Sequence, residues 1–183
     1  SEIIIPVIMG YASVCVMIVL MAPEVIAFLA PSSYGEGMYV IPAVVGGVFY
    51  MSLFSIFSNI IYFYKKPKYV MGAGVAAAVV NFVLNMLLLP RVGYLAAGYT
   101  TLAAYLLEVV WAYIAMKKVT GSSVYDMKKL SVIALLVLLS AVIAPVLYDF
   151  MWIRLLLLLL LAGSIFKYRD KLLGGFFGDK YKK

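Results

Sequence analysis

Between Lys68 and Trp111 the chain reads KYVMGAGVAAAVVNFVLNMLLLPRVGYLAAGYTTLAAYLLEVVW, two apolar stretches joined by Pro90-Arg91-Val92-Gly93. Each flank is about 20 residues, and at ~1.5 Å per residue a helix of that length crosses a ~30 Å hydrocarbon core. Proline cannot continue a helix and glycine tolerates the angles that end one, so the four residues read as a turn. The stretch predicts a membrane-spanning helical hairpin, and the rest of the chain reads as further hairpins of the same kind.

Composition agrees: 66% of residues are hydrophobic, 13% are charged and the mean hydropathy is +1.08. Soluble domains hold ~45–50% apolar residues. A net charge of +7 would suggest nucleic acid in a soluble chain, but here the cations cluster between apolar stretches and read as topology signals, so no nucleic-acid partner is expected. There is no histidine, and the one cysteine, Cys15, lies in an apolar segment. That excludes an internal disulfide, a His/Cys metal site and a His-based triad. With no carboxylate pair inside a span either, an enzyme is disfavoured, and no catalytic residue or cofactor is expected. The start at Ser1-Glu2, with no basic n-region or small-residue cleavage site, reads as the tail of a longer protein rather than a signal peptide.

The expected fold is all-α, a polytopic transmembrane helical bundle within 1–168 with six spans at about 3–21, 38–64, 69–89, 94–116, 130–148 and 151–168. A basic cytoplasmic or interfacial tail follows at 169–183. Pro6 sits in the first turn of the first span, where its missing N–H costs little. The loop Ala22–Gly37 carries Glu24 and Glu36 and no base, Asp126 is placed to cap the fifth helix, and Pro145 is placed to kink or end it. Seven consecutive leucines, Leu155–Leu161, give the sixth span no polar face. Of the fifteen bases, all but Arg91 and Arg154 fall at three ends: Lys65, Lys66 and Lys68; Lys117, Lys118, Lys128 and Lys129; and Lys167 onward. Positive residues stay inside, so the first span rises outward and the C-terminus is cytoplasmic.

The order of features from Ala22 to Lys129 resembles the C-terminal lobe of the bacterial polysaccharide (O-antigen type) flippases, in the multidrug/oligosaccharidyl-lipid/polysaccharide exporter superfamily. The resemblance rests on Pro23 and Tyr34 before a span opened by Pro42, the basic Lys66-Pro67-Lys68 turn, a helix bearing Asn81 and Asn85, and the Pro-x-x-Gly turn. Small residues Gly93, Ala96, Ala97 and Gly98 then lead to Thr101, and Tyr125-Asp126-Met127-Lys128-Lys129 resembles the family's next loop. Ala96-Ala97-Gly98 stands where Gly-Ala-Ala is commoner, which keeps the small volume. The resemblance implies the second half of a MATE-like two-lobe transporter that works by alternating access, with the N-terminal lobe elsewhere. It implies a lipid-linked oligosaccharide as substrate, undecaprenyl-phosphate-linked, flipped across the bacterial inner membrane. A cation-coupled multidrug exporter and a non-transporting membrane assembly subunit are the alternatives.

Six residues are candidates for a transport pathway or coupling: Ser55, Asn59, Asn81, Asn85, Thr101 and Glu108. Glu108 is the one acid within a span, and an ionised group at that depth costs at least ~2.5–3.5 kcal/mol. It is either a coupling or substrate-facing carboxylate or the snorkelling partner of Lys117 or Lys118. Asn81 and Asn85, spaced i and i+4, either line a sugar path or tie helices together. Ser52, Ser55 and Asn59 share a face of the second span. Arg91 and Arg154 sit near the outer interface, as phosphate contacts or as helix-end anchors.

Overall fold

A computed structural model of the chain describes residues 3–177, apart from the side chains of Ser32 and residues 168–177. Among the described residues every regular element is helical. The helices are α1 (Ile4–Leu20), α2 (Ala22–Leu29), a short 3-10 helix (Ser32–Tyr39), α3 (Ile41–Phe63), α4 (Lys68–Val92), α5 (Leu95–Thr120), α6 (Met127–Leu147) and α7 (Met151–Phe177). Helices α3 to α6 are each long and apolar enough to cross a membrane, and α1 with α2 makes a fifth such stretch, bent by 64°, when the two are taken together. Helix α7 opens at Met151, where the sixth stretch was expected, and continues through Phe177. The side chains of the basic tail at 169–183, and all of 178–183, lie outside the described residues.

Several boundaries differ from the sequence expectation. The loop Ala22–Gly37 is largely helical, because Pro23 at the start of α2 is favoured where no intrahelical N–H is needed. The Pro90-Arg91-Val92-Gly93 turn shrinks to its glycine. Pro90 withholds one N–H but leaves the helix running to Val92, and Gly93, at φ 79°, ends it while donating its N–H to the Leu89 carbonyl at 2.9 Å. Helix α5 runs on to Thr120, which puts Lys117 and Lys118 in its last turn, where the helix dipole favours cations. Helix α6 starts at Met127, before the expected Leu130, because Asp126 does cap it: its Oδ1 accepts from the Lys129 N–H at 3.3 Å. Hydrogen bonding to the Lys129 side chain, first of all, holds the Asp126 carboxyl below the usual carboxylate range, so the cap stays charged through neutral pH. Pro145 lies inside α6, which extends past it to Leu147.

The helices form two compact units. In one, α1 is central and packs against both α6 and α7, which barely touch each other. In the other, spanning Tyr39–Val124, α5 is central, with α3 and α4 packed on it. The α3–α5 contact is set by Gly98: a Cβ there would lie 2.9 Å from Val40 Cγ1 and 3.3 Å from Ala43 Cβ. Val40 is β-branched and cannot swing away freely. Gly98→Leu should therefore cost about 1–3 kcal/mol of overpacking. Thermal unfolding of the purified protein in detergent measures it, and an unchanged midpoint would contradict the close approach.

Helix α4 shows what solvent this unit is built for. Met71, Val75, Val79, Phe82 and Met86 are exposed along it, while Asn81 and Asn85 turn toward α5. A helix facing water carries its polar groups outward and its large apolar ones inward. This one does the reverse, as hydrocarbon around it requires.

Candidate functional site

Four polar side chains of the second unit meet on the seam between α4 and α5. Asn81 and Asn85 stand one turn apart and so share a face of α4. Opposite them on α5 lie the adjacent Thr100 and Thr101. The Asn85 Nδ2 donates to Asn81 Oδ1 at 2.8 Å, and Asn81 Nδ2 donates to Thr101 Oγ1 at 3.2 Å. The Thr101 hydroxyl donates to the Ala97 carbonyl at 2.8 Å. The Thr100 hydroxyl lies 2.9 Å from Asn85 Oδ1 and 3.0 Å from the Ala97 carbonyl, so its one proton serves either acceptor. The result is a directed chain from Thr100 through both amides to Thr101, with each carboxamide using donor and acceptor inside the seam. At the other end of α4, Trp111 Nε1 donates to the Tyr69 carbonyl at 3.0 Å.

Glu108 continues the same face of α5 one heptad beyond Thr101. Helix α5 places thirteen residues, Leu95 to Leu107, before it and twelve, Val109 to Thr120, after it. Glu108 is thus at the middle of the helix, ~18–20 Å from either end. A Cβ on Gly74 of α4 would lie 3.9 Å from Glu108 Oε1, an ordinary van der Waals distance, which places the carboxylate beside α4 in the seam. Among the described residues Glu108 has no hydrogen-bond or ion-pair partner. Lys118, one of its two expected partners, instead stands over the Tyr69 ring, 5.8 Å from its centroid.

The remaining candidates do not join this seam. Ser55 and Asn59 are exposed on α3, and the Ser55 hydroxyl is used within its own helix, donating to the Met51 carbonyl at 3.0 Å. Ser52 does the same toward Val48 at 3.1 Å. The buried serine of α3 is Ser58, whose Oγ finds no partner. Arg91 is exposed in the last turn of α4, where its charge complements the helix dipole. Thr100 was missed because no repeat marks it. The signal was the amide pair itself, since two carboxamides at i and i+4 need partners on adjacent rows of the facing helix.

Arg154 belongs to the first unit and is buried. Its Nη1 donates to the Leu20 carbonyl at 2.9 Å and to Glu24 Oε2 at 2.7 Å. Pro23 explains the demand for donors there. It has no N–H to offer the Val19 carbonyl four residues back, and the 64° bend between α1 and α2 leaves the end of α1 open. The Val19 carbonyl takes a backbone N–H at the end of α1 and, as a second donor, the Tyr148 hydroxyl at 3.1 Å, while Arg154 serves the Leu20 carbonyl. The guanidinium also meets the negative end of the α1 dipole. Arg154 thus anchors a helix end, with half-exposed Glu24 as its ion-pair partner.

The Asn81–Asn85 chain reads as helix-to-helix adhesion. Asn85→Leu should loosen the unit by ~0.6 kcal/mol, and by no more than ~1.7. Unfolding of the variant in detergent checks this, and a loss well above that range would mean the chain carries more than one interhelical bond.

Beside the seam, a cavity of about 440 Å³ is lined by Leu84, Leu88, Val92, Ala96, Tyr99 and Thr100 among others. It is almost wholly apolar, suiting a hydrocarbon chain rather than a sugar. No cluster of three or more metal-ligating side chains occurs among the described residues. No protein-family model matches the chain, and no curated protein or solved structure matches it either.

Proposed function

We propose that this chain is the C-terminal lobe of a bacterial polysaccharide flippase, which moves an undecaprenyl-phosphate-linked oligosaccharide across the inner membrane by alternating access with an N-terminal lobe. In this reading α7 is the sixth span, the C-terminus is cytoplasmic, and membrane lipids surround the exposed apolar faces. The order of features from Pro23 through the asparagine-bearing helix to Thr101 supports the lipid-linked glycan as cargo over the substrates of a cation-coupled multidrug exporter. The observation that carries a transport role is Glu108, a carboxylate without a partner at the middle of an apolar helix. Its ionised form costs ~2.5–3.5 kcal/mol at that depth, so its charge state is tied to the arrival of water or a cation in the seam. Asn81, Asn85, Thr100 and Thr101 hold α4 and α5 together so that the seam moves as one body.

The cargo is tested by reconstituting the full-length protein in vesicles with a fluorescent lipid-linked oligosaccharide on one leaflet. Protein-dependent transfer to the other leaflet is expected. Transfer of hydrophobic drugs with none of the glycan lipid would favour the multidrug reading, and transfer of neither would favour an assembly subunit.

The orientation is tested separately. Single cysteines at Ser33, Lys66 and Ser122, in a Cys15→Ala background, should react with an impermeant thiol reagent in intact cells at 33 and not at 66 or 122. Labelling at 122 with protection at 33 would reverse the orientation.

A further inference from the structure

We infer that the α3–α4 turn and the end of α5 form a docking site for the headgroups of anionic phospholipids. The inference is independent of the cargo. Lys65, Lys66, Lys68, Lys117 and Lys118 are all exposed, and the stand of Lys118 over the Tyr69 ring brings the two groups to one end of the unit. Between residues 39 and 124 the one acid is Glu108, which lies ~13 Å along α5 from Lys117. The cluster therefore has no counter-charge within its unit.

The backbone of the turn supplies the second observation. Lys65 has φ 57°, and it is the one residue other than glycine with a positive φ among those described. Its N–H bonds to the Tyr62 carbonyl at 2.8 Å and the Lys66 N–H bonds to the Ile61 carbonyl at 3.1 Å, the pair of bonds that closes a helix through a left-handed residue. Glycine is the usual residue there, because a Cβ is strained in that conformation. A lysine held at such a position trades backbone ease for a cation at the tip of the turn, and strain of this kind collects at functional sites.

Lipid phosphate is the occupant that fits the surroundings. Phe63, 82% exposed, adjoins the cluster, and exposed Met71 and Val75 begin the apolar face of α4 one turn and two turns on. Lysines at the end of such a face stand at headgroup depth, where the negative surface potential of anionic lipid attracts them. An acidic protein or a nucleic acid would meet the same charge without using the aromatic and apolar rim.

The test measures thermal unfolding of the full-length protein in neutral detergent, with phosphatidylglycerol or phosphatidylcholine added. Phosphatidylglycerol should raise the midpoint by about 5 °C, and phosphatidylcholine should not. The rise should shrink at 0.5 M salt, because the contact is electrostatic. Lys65→Gln/Lys66→Gln/Lys68→Gln should remove most of it, and the triple arginine variant should keep it. Lys65→Gly separates strain from charge: it should raise the lipid-free midpoint by about 2–4 °C and reduce the response to phosphatidylglycerol. Equal stabilisation by both lipids, no stabilisation by either, or an undiminished response in the glutamine triple variant would each overturn the proposal. So would equal protection by inorganic phosphate at matched concentration, which would assign the site to a soluble anion.

Discussion

Arg154→Met should be the most destabilising of the single changes considered, lowering stability by about 2–3 kcal/mol, or ~5–10 °C in detergent. Methionine fills much of the space of the arginine stem but donates nothing. The Leu20 carbonyl then loses its donor at 2.9 Å, and the end of α1 loses the cation set against its dipole. Half-exposed Glu24 recovers water when left alone, which keeps the loss below that of a fully buried pair. Glu24→Gln tests the other half: it leaves the guanidinium, only 5% exposed, without its counter-charge. The double variant should then be no more destabilised than Arg154→Met alone, because the guanidinium that Glu24→Gln strands is absent from it. Additive losses would mean that the two residues act separately.

That cluster also shows where sequence reading stops. The apolar stretches that become α3 to α6, their order and the cap at Asp126 were legible, because length, hydropathy and local hydrogen bonding fix them within a few residues. The bend at Met21 was not, since a proline three residues after a helix marks a break without giving its angle or the donors that come to it. Arg154 lies 134 residues from the carbonyl it serves, and no local pattern encodes that meeting. The seam was half legible. Asn81, Asn85 and Thr101 announce themselves as polar groups in apolar helices, whereas Thr100 becomes visible only once α5 is set against α4. Ser55 and Asn59 have the same spacing signal as the seam residues and yet lie exposed on α3, because periodicity assigns residues to a face without saying what covers it.

Thr101 and Glu108 lie a heptad apart on α5, with Asn81 and Gly74 correspondingly spaced on α4, so the seam passes from a bonded amide pair to a carboxylate with no partner. A residue kept only for packing would give that place to an apolar side chain, given the cost of a charge at mid-helix. Glu108→Gln preserves the shape and removes the charge change. It should leave the unfolding midpoint within ~2 °C of wild type. Flipping that depends on an ion gradient should fall by about 5- to 150-fold, the span of coupling free energies of ~1–3 kcal/mol. The deciding measurement is therefore the rate of lipid-linked oligosaccharide transfer by the full-length protein in vesicles, wild type against Glu108→Gln, with and without an imposed proton or sodium gradient. The gradient should accelerate the wild type and leave the variant at its gradient-free rate; equal acceleration of both would contradict a coupling role and make Glu108 a structural residue.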